Sequence, residues 1–217
     1  MYYTRYSLEQ RIREDTDRRP LLSSARFHRF NASEQPISYT YLNIHDVLAP
    51  SSDWSDLDLT NFHAENALLT KALFLRVNLS FACLHQAQLN EAQFTQALLY
   101  HALLTKVVAY SADFTLADIT HTNMGAMVAP HACFKGCHTQ LGANFAYAQL
   151  TRANFDEAQL ICVDFTHANL ARATFRGADL TGASFNYATL SKNTLEGAYL
   201  KETTLNHIRY HEEEPAL

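Results

Sequence analysis

The chain has 217 residues, of which 47% are hydrophobic, and its 17 Lys and Arg stand against 22 Asp and Glu for a formal net charge of −5. Such a composition supports a buried core in one continuous body, and the acidic balance argues against a sequence-independent grip on nucleic-acid phosphates, which needs a basic footprint. No stretch approaches the roughly 20 apolar residues of a membrane-crossing helix, so the chain is expected to be soluble, with neither nucleic acid nor membrane as a direct partner.

Residues 1–52 carry no clear repeat and are expected to form a capping or covering segment with short helices. Ser7 and Gln10 have the spacing of a capping box ahead of a helix running to about Arg19, with Pro20 behind it. A second short helix is expected from Asn43, a candidate N-cap, to Leu48 before Pro50.

Residues 53–206 repeat every five positions. In the second half the large apolar centres are Phe145, Leu150, Phe155, Leu160, Phe165, Leu170, Phe175, Leu180, Phe185 and Leu190, continuing to Leu195, Leu200 and Leu205, with a small residue two places before nearly every one. The first half has the same pattern from Leu69 through Phe74, Leu79 and Leu84 to Phe134, with Leu57 and Phe62 as a weaker start offset by two. A period of five is neither the 3.6 of a helix nor the 2 of a strand, and a fixed period marks stacked units that bury a shared core. The step from Phe134 to Phe145 is eleven rather than ten, so one residue is inserted near 136–142, read as a bulge or loop. Residues 207–217, with Glu212, Glu213, Glu214 and Pro215, read as a solvated tail.

Triplets such as Ala143-Asn144-Phe145, Ala168-Asn169-Leu170 and Ala178-Asp179-Leu180 resemble the pentapeptide-repeat family. The resemblance implies an all-β fold, a right-handed quadrilateral β-helix of four pentapeptides per turn, here with a short, partly helical N-terminal cap segment. It implies that the centre and the small residue two before it point inward and the other three side chains outward. About seven coils at the roughly 4.8 Å strand spacing make a body roughly 34 Å long, with open strand edges at its ends. In family members the C-terminal coil often pairs two molecules, which implies a homodimer through that end.

With a 20-residue turn, positions 20 apart stack on one face. Arg152, Arg172 and Lys192 then form a basic ladder, and Tyr147, His167, Tyr187 and His207 an aromatic one. Both read either as structural stacking or as a partner footprint, since Tyr and Arg are enriched in contact patches. Asp156, Arg176 and Glu196 alternate in sign and read as a structural charge ladder. In the first half, outward positions hold Leu68, Leu73, Leu98, Leu103, Val108 and Val128, joined by Leu75, Phe81, Tyr100, Tyr110 and Leu116. An apolar exterior of that size needs a cover. Either residues 1–52 fold over it, or it is a dimer or partner interface.

The four cysteines, Cys83, Cys133, Cys137 and Cys162, are scattered and read as free thiols of a reducing compartment. His131, Cys133, Cys137 and His138 fall within eight residues and could ligate zinc, but the register points Cys137 inward, so no metal and no cofactor are expected. No phosphate-cradling loop, nucleophile elbow or paired carboxylates appear, and no enzyme is expected. Two readings remain, both resting on the family resemblance. One is a non-catalytic interaction scaffold or adaptor for a protein partner, in the bacterial cytoplasm or delivered into a host cell as an effector. The other is a DNA-mimicking modulator of DNA gyrase or topoisomerase IV, a type II topoisomerase partner. The second is weakened by composition, because residues 53–205 carry 13 Asp and Glu against 9 Lys and Arg.

Overall fold

The protein was analysed as a computed structural model that describes residues 2–3, 6–8, 10, 26–27 and 39–211. Among the described residues it is built almost wholly of parallel strand bridges and turns with very little helix. From Asn43 onward the residue before nearly every centre bridges in parallel to the one 20 positions later, or 21 across one insertion, as in Asn43↔His63, Cys83↔Leu103 and Asn144↔Asp164; Thr174 and Thr194 are not bridged to each other. The named strands are two-residue pieces of this stacking. Strand β3 (His138–Thr139) pairs with β4 (Gln159–Leu160), and β5 (Asn169–Leu170) with β6 (Thr189–Leu190) and then β7 (Arg209–Tyr210), after a separate terminal pair, β1 (Tyr2–Tyr3) with β2 (Arg26–Phe27).

The five-residue unit follows from backbone accounting. The Leu69 N–H donates to the Gln88 carbonyl and the corner Lys71 N–H to the Asn90 carbonyl, both 2.8 Å away in the next coil. The Leu68 N–H donates backward to Val47 at 2.8 Å, and the Ala72 N–H closes the corner on Leu69 at 3.0 Å. The N–H just after the centre has no such partner. An Asp or Asn before the centre supplies it: Asp58 accepts from the Thr60 N–H, Asn78 from Ser80, Asp164 from Thr166 and Asp179 from Thr181. This is the Asx turn, and it is why the motif favours Asp or Asn there. The Thr181 hydroxyl and N–H together hold the Asp179 carboxyl below its ordinary value. Each corner residue turns through positive φ, between 52 and 62° from Tyr41 to His131. That costs an ordinary L-residue about 1 kcal/mol per corner, so stacking must offset it. Gly136 serves at a corner where a Cβ would stand 2.9 Å from Leu116 Cδ2.

Two side chains per unit point inward, and the interior is filled by four columns of centres. One column holds Trp54, Phe74, Phe94, Phe114, Phe134, Phe155 and Phe175; from Phe74 onward its rings lie parallel 4.7 to 4.8 Å apart. The facing column of Phe145, Phe165 and Phe185 meets it edge to face at 5.3 to 5.7 Å. Leu150, Leu160, Leu170, Leu180 and Leu190 are buried in the same core.

Three boundaries differ from the sequence reading. The register does not slip by two at Leu57 and Phe62. These occupy the inward position before the centre, while Ala64, Leu59 and Trp54 are the centres, so large and small residues exchange places at constant inward volume. The stack also reaches back beyond residue 53: Asn43 to Leu48 is coil rather than helix, and Asn43 Oδ1 accepts the His45 N–H in an Asx turn instead of capping a helix. Leu42, Ile44, Val47 and Ala49 therefore belong to the core and cannot cover an outer flank. At the other end β7 carries the stack to Tyr210, past residue 206. Of the helix expected over Ser7 to Arg19, Ser7, Leu8 and Gln10 are helical, Leu8 is buried within the core cluster, and residues 11–19 lie outside the described residues. The apolar Leu21, Leu22, Phe30 and Ile37 also lie outside them, as does the tail at 212–217. The extra residue falls between Thr139 and Asn144, where the bridge spacing becomes 21 before returning to 20.

Candidate interaction surfaces

With the interior filled by side chains, chemistry and recognition fall to the outward rows. The first-half apolar residues do not form one flank. Leu68, Val108 and Val128 lie half-buried in one row, Leu73 in a second, Leu98 in a third and Leu103 in a fourth, because the bridges place them on different columns.

What does gather is a ring cluster at one corner. Phe81, His101 and His121 are corner residues of successive coils; Phe81 stacks on His101 at 5.4 Å and His101 on His121 at 4.7 Å. Tyr100 meets Phe81 and His101 edge-on at 5.6 and 4.3 Å. Leu98 and Leu103 flank the cluster, and Phe81 and Leu98 are about half exposed, at 51% and 47%. Reading for apolar residues missed His101 and His121, although their 20-residue spacing from Phe81 was available.

The second half carries a separate face. Tyr147, His167, Tyr187 and His207 form one continuous external stack at 4.8 to 4.9 Å with interplanar angles of 10 to 15°. The next row holds the corner residues Arg152 and Arg172, followed by Lys192 at the equivalent position, where the regular corner gives way to a turn without positive φ; all three are exposed. Between the rows run Gln149, Asn169, Thr189 and Arg209, with Asn169 Nδ2 donating to Gln149 Oε1. In the neighbouring row Arg176 meets Asp156 through its main-chain N–H, at 2.9 Å.

The four residues weighed as zinc ligands diverge. His131 is an exposed corner, Cys133 and His138 face outward on different columns, and Cys137 points into the core. Burial, and secondarily Cys133, push the Cys137 thiol far up, whereas Cys162 is exposed. A thiolate is the reactive form. Native protein treated with a thiol reagent is therefore expected to label Cys162 first and Cys137 only on unfolding, read by mass spectrometry of timed samples; early Cys137 labelling would contradict the register.

At the C-terminal end the pattern of burial breaks. Leu200 and Leu205 hold centre positions, which in the interior coils are fully buried, yet they are 39% and 36% exposed. Among the described residues no further coil covers them.

The pattern of pentapeptide repeats matches the chain in 8 copies, over residues 87–125, 142–177, 158–197 and 168–206 among them. No protein of curated function matches. Among solved structures, HetL, a pentapeptide repeat protein involved in heterocyst differentiation regulation from the cyanobacterium Nostoc sp. strain PCC 7120, is similar at 19% identity over 96% of this chain and 94% of its own, with a TM-score of 0.46. Full-length QnrB1, a plasmid-mediated fluoroquinolone resistance protein, is similar at 15% identity over 76% of this chain and 92% of its own, with a TM-score of 0.49. A pentapeptide repeat protein of the Arabidopsis thaliana thylakoid lumen is 23% identical over 54% of this chain and 63% of its own, with a TM-score of 0.23.

Proposed function

Because the chain belongs to the pentapeptide-repeat family, we propose that it is a non-catalytic interaction scaffold, a right-handed quadrilateral β-helix whose outer faces hold a protein partner. The observation that carries this is the exposed cluster of Phe81, Tyr100, His101 and His121 beside Leu98 and Leu103. Aromatic anchors rimmed by apolar side chains on a rigid backbone are the anatomy of a binding hot spot. The double variant Phe81→Ser, Tyr100→Ser keeps every inward side chain. It is expected to retain the circular dichroism of the wild type while losing the protein that wild type captures from cells of its source. Unchanged capture by the folded double variant would sink this reading.

A second copy fits the last described coil, where Leu200 and Leu205 are partly exposed. Leu200→Glu with Leu205→Glu is expected to turn a dimer into a monomer in light scattering after gel filtration, since a buried unpaired carboxylate is costly. A monomeric wild type would rule the dimer out. Modulation of DNA gyrase or topoisomerase IV by DNA mimicry is the weaker reading, because the exposed Arg152, Arg172 and Lys192 stand where a duplex mimic needs acids. No effect is expected in gyrase supercoiling assays, with or without a topoisomerase poison.

A further inference from the structure

Within residues 39–211, most cations outside the second-half face are paired with an acid, two of them in their own corner row and two in an adjacent row. Arg76 forks onto Asp56 at 2.6 and 2.8 Å, Lys71 meets Glu91 at 3.4 Å, Lys135 meets Glu157 at 3.2 Å and Lys201 meets Glu202 at 3.9 Å. Among the described residues, Lys106, Arg152, Arg172, Lys192 and Arg209 form no ion pair, and all five lie on or border the single face whose centres include Leu150, Leu170 and Leu190. Within residues 39–211, Arg176 is the one other cation without an ion pair, on the neighbouring face. Between residues 106 and 211 that face has no Asp or Glu at any outward position; Asp156 and Asp164 sit on the columns to either side. Within residues 39–211 the unpaired positive charge, Arg176 excepted, is thus gathered on or beside one face.

The same geometry could have been made neutral. Asp56 and Arg76 occupy corner positions one coil apart, as Arg152 and Arg172 do, and there the chain placed an acid beneath the base. On the second-half face it placed a base above a base, leaving guanidinium and ammonium donors without acceptors. We infer that this face docks an acidic segment of a protein partner, its carboxylates received by Arg152, Arg172 and Lys192 along one edge and by the hydroxyls and ring N–H groups of the Tyr147 to His207 stack along the other. The inference rests on the scaffold reading above and adds the place and the partner's chemistry.

One feature selects against single-stranded nucleic acid. The rings of the stack cover one another's faces at 4.8 to 4.9 Å and offer the solvent mainly edges, so bases find few platforms to stack on. Guanidinium forks match carboxylates two bonds at a time, as they do phosphates, so the oligonucleotide competitor decides between the two. The three ladder cations span two coil spacings, about 10 Å, which an extended chain covers in about three residues, so a run of three or four Asp or Glu fits.

The test uses the full chain and a fluorescein-labelled peptide of eight alternating Glu and Asp residues, with a single-stranded oligonucleotide of equal length as competitor. Binding by polarisation is expected, weakening about tenfold or more as salt rises from low to a few hundred millimolar, because exposed charges are screened. The variant Arg152→Glu, Arg172→Glu, Lys192→Glu is expected to lose at least about tenfold in affinity, and an off-face control, Lys135→Glu, Arg176→Glu, Lys201→Glu, to stay within about twofold; circular dichroism checks that both are folded. Absence of peptide binding, equal loss in the two variants, or tighter binding of the oligonucleotide would each overturn the inference. Absence of peptide binding to the wild type, with partner capture through Phe81 and Tyr100 intact, sinks this inference alone, whereas capture unchanged in the Phe81 and Tyr100 variant sinks the scaffold reading.

Discussion

Replacing Phe114 by Ala is expected to lower stability by about 3 to 5 kcal/mol, read as a drop in the urea midpoint at unchanged slope. Phe114 is fully buried and lies 4.8 Å from Phe94 above and 4.7 Å from Phe134 below, both nearly parallel to it. Removing the ring opens a cavity between two rings that backbone bridges hold at fixed spacing, so the site cannot collapse to heal it. The neighbours of the lost ring lose contact on one face each, and in a repeat structure the damage falls on interfaces between coils, which carry the stability. Leu205→Ala, at a centre position 36% exposed in the last coil, is expected to cost less than half as much. Equal costs would mean that the two ends and the middle are packed alike, contrary to the burial pattern.

Deleting one residue gives the other large effect, and its sign depends on where the residue is taken. Between 139 and 144 the coil carries one residue more than its neighbours, and Leu141 there is 52% exposed. Without Leu141 every coil has the same length, and a cost within about 1 kcal/mol is expected, as for surface changes generally. Without Ser111 a corner is lost from a coil that has none to spare. The Ser111 N–H bond to Pro130 and the Ala112 N–H bond to Ala109 cannot both survive, and residues beyond it meet the next coil one position out of step. A shift of one position carries inward side chains outward. That variant is expected to lose about 4 kcal/mol or more, or to fold only in part, with limited proteolysis cutting near residue 111. Similar midpoints for the two deletions would contradict the placement of the bulge.

The period of five made most of the interior legible, because an inward pair recurs whatever the outward residues are. Phe145 to Leu190 needed nothing beyond counting. The start of the stack, where Tyr39 is already buried and its N–H donates to the Asp58 carbonyl of the next coil at 3.1 Å, is hidden for a physical reason. Two positions in each unit point inward and only their summed volume is constrained, so Phe62 with Ala64 and Leu57 with Leu59 satisfy the stack while breaking the pattern of small residue then large. Asn43 was misread because an Asx turn and a helix N-cap use the same side-chain oxygen on a nearby N–H. On the surface, spacing by 20 found the Tyr147 and Arg152 rows. The Phe81 cluster was half seen, since His101 and His121 count as polar in composition yet stack as rings. Which cations lack partners depends on side-chain reach between coils: Lys71 meets Glu91 and Arg76 meets Asp56, while Arg152 and Arg172 meet no acid.

Site-specific photo-crosslinking in cells of the source organism tests most directly the claim that this protein acts by presenting its outer faces. A benzophenone amino acid at Tyr100 is predicted to give one dominant adduct with a protein partner. The same group at Thr95, on another face, gives none. Adducts of equal strength from both positions, or none from Tyr100 or from Arg172, would contradict it.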